Sequence, residues 1–513
     1  MRLTVLKIIL LFSVSLHQAG SLNILGVFPY EGKSHFFVFQ PLLLELAKRG
    51  HNLTVISHFP QQKPIQNYHD ISIAGKTEVL EGVFPLERSY WSMLQISLFL
   101  IRFGTENCKL LLGDENVQEL WQTSAEFDVV LVEQFQSDCA LGLAHELGAP
   151  VVGLTSHFLM PWHYQRFGIQ YNPSYMSFMF LEGGTKPTFY QRIERVIINT
   201  YLNVLYKFFE QRVDQNTLAQ YFEDVPPLET LGQDIKMLLA YQNPALTGSV
   251  LLPANVKEVG GYHVAKPKDL PADLKKFIEE SEHGVIYISF GSMLRANTTP
   301  REKVEAIIKA VSQLPQRVIW KWEEKQLPGN PKNIHLASWL PQNDILAHPK
   351  VLAFYSHCGL LGTTEAIHHG VPMIAMPVFG DQPGNAAMIE ESGLGVQIDV
   401  TKLTKELLLE NPKRGNSLAG VKQLSKLWHD RPTSAMDSAI YWTEFVARHR
   451  NASFKSAGIN VPIYQYLGLD ILGVFLVIYL GLLVLIKFLW FSSSRKQEHT
   501  NKKRKNKYVG INL

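Results

Sequence analysis

Residues 351–366 read Val351-Leu352-Ala353-Phe354-Tyr355-Ser356-His357-Cys358-Gly359-Leu360-Leu361-Gly362-Thr363-Thr364-Glu365-Ala366. A short apolar run rich in aromatic and branched residues ends in a polar turn with glycine, and a helix-compatible segment follows. This is the strand–turn–helix step of a βαβ unit. The same rhythm surrounds it, with strands expected at Val285 to Phe290, Val318 to Trp322, Met373 to Pro377 and Val396 to Ile398. It also appears earlier: strands at Asn23 to Phe28, Leu53 to Ser57, Phe127 to Val132 and Val151 to Thr155, with helices at Phe37 to Lys48 and Ala140 to Leu147. Such alternation builds a parallel sheet covered by helices on both faces, and 513 residues exceed one ordinary core. The expected fold class is α/β, with two doubly wound Rossmann-like domains over 21–240 and 284–450. Between them, residues 241–283 carry Pro244, Pro253, Gly260, Gly261, Pro267 and Pro271, the punctuation of a linker or crossover. The aromatic-rich helical stretch 188–222 is expected to be a core helix pair, with covering a ligand pocket or touching a membrane surface as alternatives.

The two ends differ from the middle. Arg2 and Lys7 flank an apolar run from Ile8 to Leu16 closed by Ala19-Gly20-Ser21, the charge order of a signal peptide over 1–20. Residues 467–491 are almost unbroken apolar sequence, enough to cross a bilayer core of roughly 30 Å. The tail 492–513 holds Arg495, Lys496, Lys502, Lys503, Arg504, Lys505 and Lys507, which by the positive-inside rule stays cytosolic and leaves the body lumenal, in the endoplasmic reticulum. Acceptor triplets for glycosylation at Asn52, Asn297 and Asn451 all precede the span. The net charge of +3 owes much to that tail, so the body shows no basic footprint and nucleic acid is excluded as a partner. Cys108, Cys139 and Cys358 are too few for a disulfide framework, so the core is expected to carry the stability.

In open parallel sheets ligands bind beyond the carboxyl ends of strands. Gly291-Ser292 follows one such strand, where glycine admits a ligand to the backbone and a serine hydroxyl meets a phosphate oxygen. Ser356-His357-Cys358-Gly359 follows another and opens a helix, whose free N–H groups and partial positive charge favour a diphosphate. Around it stand Trp339-Leu340-Pro341-Gln342, Glu365, Gly370-Val371-Pro372, Pro377, Asp381-Gln382 and Asn385. Taken singly, Trp339 reads equally as a core aromatic, Glu365 as a solvated helix residue and Asp381 as a helix cap.

The stretch from Trp339 to Gln382 resembles the signature box of the UDP-glycosyltransferases, the family of UDP-glucuronosyltransferases and UDP-glucosyltransferases, in its membrane-bound animal form. The run Gly359-Leu360-Leu361-Gly362-Thr363-Thr364-Glu365-Ala366 looks most like insect members. Signal segment, two domains, C-terminal span and basic tail match too, so the resemblance covers essentially the whole chain and implies a GT-B fold. It implies that Trp339 stacks on uracil, Gln342 bonds near its edge, Glu365 accepts from ribose, Ser292, His357 and Gly359 hold the diphosphate, and Asp381 and Gln382 hold the sugar. Many relatives have serine where this chain has Gly362, and Thr363 or Thr364 is expected to compensate. Leu361 stands where plant relatives place asparagine.

An acceptor hydroxyl needs a general base near neutral pH. His35 follows the first strand on a loop expected to face the cleft, and the resemblance makes it that base. Its orienting acid is expected to be Asp138, with Glu133 as the alternative; a helix-capping role for Asp138 competes. The implied reaction is inverting transfer of a hexose, glucose from the insect likeness, from UDP-sugar to a hydroxyl of a small lipophilic acceptor. No Asp-x-Asp motif offers a bridging metal, so neither metal nor cofactor is expected. Phe84, Trp91, Phe158, Trp162 and Phe167 suggest an apolar acceptor lining. The alternative from another class is a catalytically inactive UDP-sugar-binding membrane protein; a phosphorylase or hydrolase would need a nucleophile or cofactor lysine that nothing singles out. A homo-oligomer is left open.

Overall fold

The computed structural model describes residues 20–76, 90–291, 301–324, 326–329, 331–398 and 418–509. The chain forms two compact units, Met1–Lys455 and Ser456–Leu513. In the first unit, strands β1 (Asn23–Phe28), β2 (Asn52–Ser57), β3 (Tyr68–Ser72), β4 (Val129–Glu133), β5 (Val151–Leu154), β6 (Met237–Ala240) and β7 (Val256–Glu258) form one sheet. Its order is β3-β2-β1-β4-β5-β6-β7, and every pairing is parallel. The second sheet comprises β8 (Val285–Ser289), β9 (Arg317–Lys321), β10 (Ile334–Ala337), β11 (Val351–Ser356), β12 (Met373–Ala375) and β13 (Gly395–Gln397). Its order is β10-β9-β8-β11-β12-β13, again wholly parallel.

Central strands of a parallel sheet are covered on both faces and so read as continuous apolar runs. In β1, Ile24 and Phe28 pack on helix α1 (Lys33–Lys48), while Leu25 and Val27 pack on the opposite face with α2 (Tyr90–Gly113) and α3 (Cys139–Glu146). α1 begins at Lys33 rather than Phe37, which puts His35 in the first helical turn instead of the preceding loop. Four strands lie outside the sequence-based expectation. β3, β7 and β10 are edge strands with few fully buried side chains, and β6 is only four residues long.

The 188–222 stretch forms α4 (Phe189–Leu205), a π-helical turn Tyr206–Glu210 and α5 (Gln211–Leu218). In the second lobe, α6 (Leu360–His369) and α7 (Gln382–Ser392) follow β11 and β12, and α8 (Leu418–His429) and α9 (Ala435–Arg448) end the body. Two expected boundaries shift. β7 belongs to the first sheet although it lies within 241–283. α9, placed by sequence in the second domain, returns to the first lobe against α1 and β4 to β6. There Arg49 Nη2 meets Asp437 Oδ1 at 2.6 Å and His51 Nε2 meets Glu444 Oε1 at 3.1 Å. In the second unit α10 (Leu469–Val509) is a single helix, long and apolar enough over Leu469–Lys503 to cross a membrane, with none of its apolar window buried.

Cys108 in α2 and Cys139 at the start of α3 form a disulfide, Cα to Cα 5.4 Å, while Cys358 is free and buried. Three cysteines make no framework, yet one bridge supplements the core. Closing a loop over a sequence separation of 31 removes chain entropy worth about 3–4 kcal/mol on the loop-closure account. Cys139→Ser is therefore expected to lower the thermal midpoint, and added reductant to lower wild type but not the variant. Equal effects of reductant on both would refute it.

Candidate active site

His35 and Glu133 reach each other because β1 and β4 are neighbours in a parallel sheet, so the α1 turn and the end of β4 emerge side by side. His35 Nδ1 lies 2.7 Å from Glu133 Oε1. Ser156, just past β5, adds its hydroxyl 2.6 Å from the same oxygen and 2.9 Å from Nδ1. Burial would raise the Glu133 carboxyl, but the facing His35 and the Ser156 hydroxyl hold it below the ordinary carboxylate range. An ionised carboxylate only accepts hydrogen bonds, so Nδ1 carries the proton and Nε2 keeps its lone pair. Tyr30 and Phe135 wall the imidazole, ring centroids 4.4 and 4.6 Å away. His157 sits 5.4 Å off and is held neutral, its pKa pushed down to about 4 by burial and then by His35. His35, Glu133 and His157 also have potential ligand atoms within 4.8 Å of one another; the carboxylate is already engaged by His35 and Ser156.

The pairing expected of Asp138 is corrected. Asp138 turns away from His35 and receives a two-pronged bond from Arg166, Nη1 to Oδ1 at 2.9 Å and Nη2 to Oδ2 at 2.7 Å, with Gln211 Nε2 at 3.0 Å. Burial opposes its charge, but Arg166 outweighs it and brings the carboxyl down to about 2. Nor does its side chain cap α3. The reason is local: after β4 the chain turns at Ser137, φ +67°, carrying Asp138 beneath the cleft floor. Asp214 Oδ2 accepts from the Asp138 N–H at 3.1 Å and Glu210 Oε1 from the Ser137 N–H at 2.8 Å. Both carboxyls are pushed up by burial, Asp214 to about 8.

Across the cleft stands the donor loop. His357 fits between two glycines: a Cβ at Gly291 or Gly359 would approach its ring to 2.7 or 2.6 Å. Gly291 has φ +76° and Cys358 φ +69°, a left-handed conformation that a non-glycine residue adopts at a cost. Asn385 Nδ2 ties this turn down, donating to the Cys358 carbonyl and to Asp381 Oδ2, each at 2.8 Å. Desolvation brings His357 down to about 4, so it meets an anion as a neutral donor. Ser292 lies outside the described residues.

Gln342 Nε2 donates to Glu365 Oε2, and Tyr287 OH donates to Gln342 Oε1 at 3.2 Å. Burial lifts Glu365 to about 7. Trp339 is 76% exposed and takes Lys321 Nζ 5.4 Å over its ring, while the same ammonium donates to the Gly291 carbonyl at 2.7 Å. Gln382 Oε1 accepts from the N–H groups of Val378 and Phe379 at 2.8 and 3.1 Å. The compensation expected of Thr363 is not in place. Its hydroxyl donates to the Gly359 carbonyl, Thr364 bonds Leu360 likewise, and both are buried in α6. Gly362 has another use: a Cβ there would stand 3.2 Å from Gln342 Nε2.

His35, Gln342, His357, Gly359, Asp381 and Gln382 therefore line one cleft of about 550 Å³ between the lobes. Its acceptor side is apolar, with Phe59, Phe135, Met160 and Phe180. Of the suggested lining, Phe167 is core, Trp91 is outside, Phe158 packs behind, Trp162 borders a side slot, and Phe84 is not described. Ser156 and Lys321 were missed; both stand at strand carboxyl ends, a positional signal the sequence does carry. Asn52 and Asn451 are exposed, and Asn297 lies outside the described residues.

Two lobes of parallel sheet, a phosphate-type helix turn on one and a histidine–carboxylate pair on the other define a GT-B glycosyltransferase. Solved structures of that fold agree: glycosyltransferase VinC in complex with dTDP (17% identity, 83% of this chain, 100% of that one, TM-score 0.57) and the calicheamicin glycosyltransferase CalG4 (17%, 83%, 99%, 0.54). The family model for UDP-glucoronosyl and UDP-glucosyl transferases matches residues 23–505, and the chain belongs to that family. Similar curated proteins include UDP-glucosyltransferase 2 of Dactylopius coccus (34% identical; 96% of this chain, 98% of that one) and UDP-glucuronosyltransferase 2B1 of Rattus norvegicus (29%; 95% and 96%). It is a UDP-glycosyltransferase, moving a sugar from a UDP-sugar donor.

The two carboxylates should separate experimentally. Glu133→Gln is expected to cut turnover by roughly 10²–10⁴ with little change in UDP-sugar KM or melting. Asp138→Asn takes the two-pronged carboxylate from the buried Arg166 and leaves Glu229 Oε2, at 3.2 Å, as its remaining ionic partner, and is expected to cost about 3 kcal/mol of stability. The reverse pattern in kinetics and denaturant melts would reassign the pair. For Asp214 the folded pKa is raised, so its stabilising contribution is full below 3.8 and is lost as pH rises through about 8. Asp214→Asn should therefore gain on wild type in thermal midpoint across that window; a constant or shrinking difference would contradict this.

Proposed function

We propose that this enzyme transfers glucose, with inversion, to a hydroxyl of a small lipophilic acceptor, using His35 as general base. The observation that carries the reading is the placement of the His35–Glu133 pair and the His357–Asp381 loop on facing walls of one cleft. His35 Nε2 takes the acceptor proton as the oxygen attacks the anomeric carbon; the bond from that carbon to the β-phosphate oxygen breaks, and UDP leaves with the electron pair. Glu133 stabilises the imidazolium that forms. The start of α6 and the neutral His357 stabilise charge on the leaving diphosphate, with Lys321 close by, so no metal is required.

Support for glucose comes from the likeness to UDP-glucosyltransferase 2 of Dactylopius coccus over nearly the whole chain. The apolar lining supports lipophilic acceptors. We further read α10 as a membrane span with its basic end cytosolic and the body lumenal, supported by its length, exposure and following basic residues.

Membranes containing the expressed chain should transfer sugar from UDP-glucose to phenols in excess chelator, with little transfer from UDP-glucuronate and none after His35→Ala. Preference for UDP-glucuronate would overturn the sugar assignment. Recovery only with divalent ions would overturn metal independence. UDP-sugar binding without turnover in wild type would favour a non-catalytic role.

A further inference from the structure

α4 has two unlike faces. Its inner side buries Arg195, Ile198 and Leu202, and the Arg195 guanidinium donates to the carbonyls of Pro173, Met176, Glu182 and Gly184. The helix is therefore held firmly from within. Its outer side repeats apolar residues at helical spacing, all facing solvent: Phe189, Ile193, Val196, Ile197, Val204 and then Phe208. α2 lies alongside in register, Tyr90 OH bonding Glu194 at 2.9 Å and Ser97 Oγ meeting Tyr201 OH at 3.1 Å. It adds exposed Trp91 and Leu98 to the same region.

Aqueous surfaces rarely carry so continuous an apolar stripe. Cations border it: Arg192 lies 5.6 Å over Phe189, Arg212 5.5 Å over Phe208, and Lys207 is exposed between them. Apolar residues with tyrosine and tryptophan, edged by lysine and arginine, are the make-up of a helix lying at the boundary of lipid headgroups and acyl chains. The 13 residues from Ser456 to Gly468 join the body to α10, a leash of at most about 45 Å. If α10 spans a bilayer, that leash keeps the body near lipid.

A narrow apolar slot runs between the same two helices. Met93, Ile96 and Leu100 of α2 face Leu202 and Leu205 of α4, and the slot shares Ile96, Leu100 and Phe180 with the cleft that holds His35. We propose that the α2–α4 face seats in the bilayer surface and that the slot admits apolar acceptors from lipid to the catalytic cleft. The proposal rests on the reading of α10 as a span.

The full-length chain offers no accessible thiol of its own, since Cys108 and Cys139 are bridged and Cys358 is buried. A fluorophore at Ile197→Cys in phosphatidylcholine–phosphatidylserine vesicles carrying nitroxide-labelled acyl chains is expected to be quenched. One at Lys48→Cys, at the end of α1 on the opposite face of the sheet, is not. Val477→Cys in α10 reports the span itself. Quenching at Val477 without quenching at Ile197 overturns the docking and leaves the span intact; quenching at neither overturns both. As a second readout, Val196→Glu with Ile197→Glu should raise KM several-fold for acceptors that partition into membranes. KM for a water-soluble phenol and for the UDP-sugar should stay unchanged. An equal change for both acceptor types would overturn the access route.

Discussion

Among the described residues, every pairing between two strands of the body's sheets is parallel, and the site follows from that constraint. Parallel strands send all their carboxyl ends to one edge, so the turns that follow them collect there. In the first sheet the turns after β1, β4 and β5 bring His35, Glu133 and Ser156 together from positions 98 and 121 residues apart. In the second, those after β8, β11 and β12 assemble Gly291, His357 and Asp381. α9, which follows the second lobe along the chain, packs back on the first lobe against α1 and β4 to β6.

The region after β4 divides its acids by partner. Glu133, at the strand end, reaches the cleft and meets an imidazole; Asp138, five residues on and past a left-handed turn, meets a guanidinium that is always charged. A carboxylate locked two-pronged to arginine has no lone pair in position to steady a catalytic histidine. Beneath it Glu210 and Asp214, crowded near the same charge and shut from water, take up protons instead of ionising. One buried network therefore holds an ionised pair and neutral acids within a few residues, stiffening the floor under the acceptor side.

On the donor side, close approach is purchased with glycine and strain. His357 fits because Gly291 and Gly359 have no Cβ, and Cys358 holds a left-handed backbone that Asn385 secures. Gly362 makes room for Gln342, whose Nε2 a Cβ there would approach to 3.2 Å.

The sequence alone determined the α/β class, the two-lobed order, the C-terminal apolar helix and the neighbourhood of the donor loop. Each of these is written in local periodicity or in residues close together along the chain. Edge strands β3, β7 and β10 escaped because a strand covered on few sides carries a weak apolar pattern. Tertiary structure decided which acid faces His35, that Thr363 bonds its own helix, that α9 packs back on the first lobe, and that Cys108 meets Cys139. These depend on the direction of a side chain or on contacts between distant segments. A one-residue change in where a turn bends redirects a side chain, and no residue pattern along the chain records that angle.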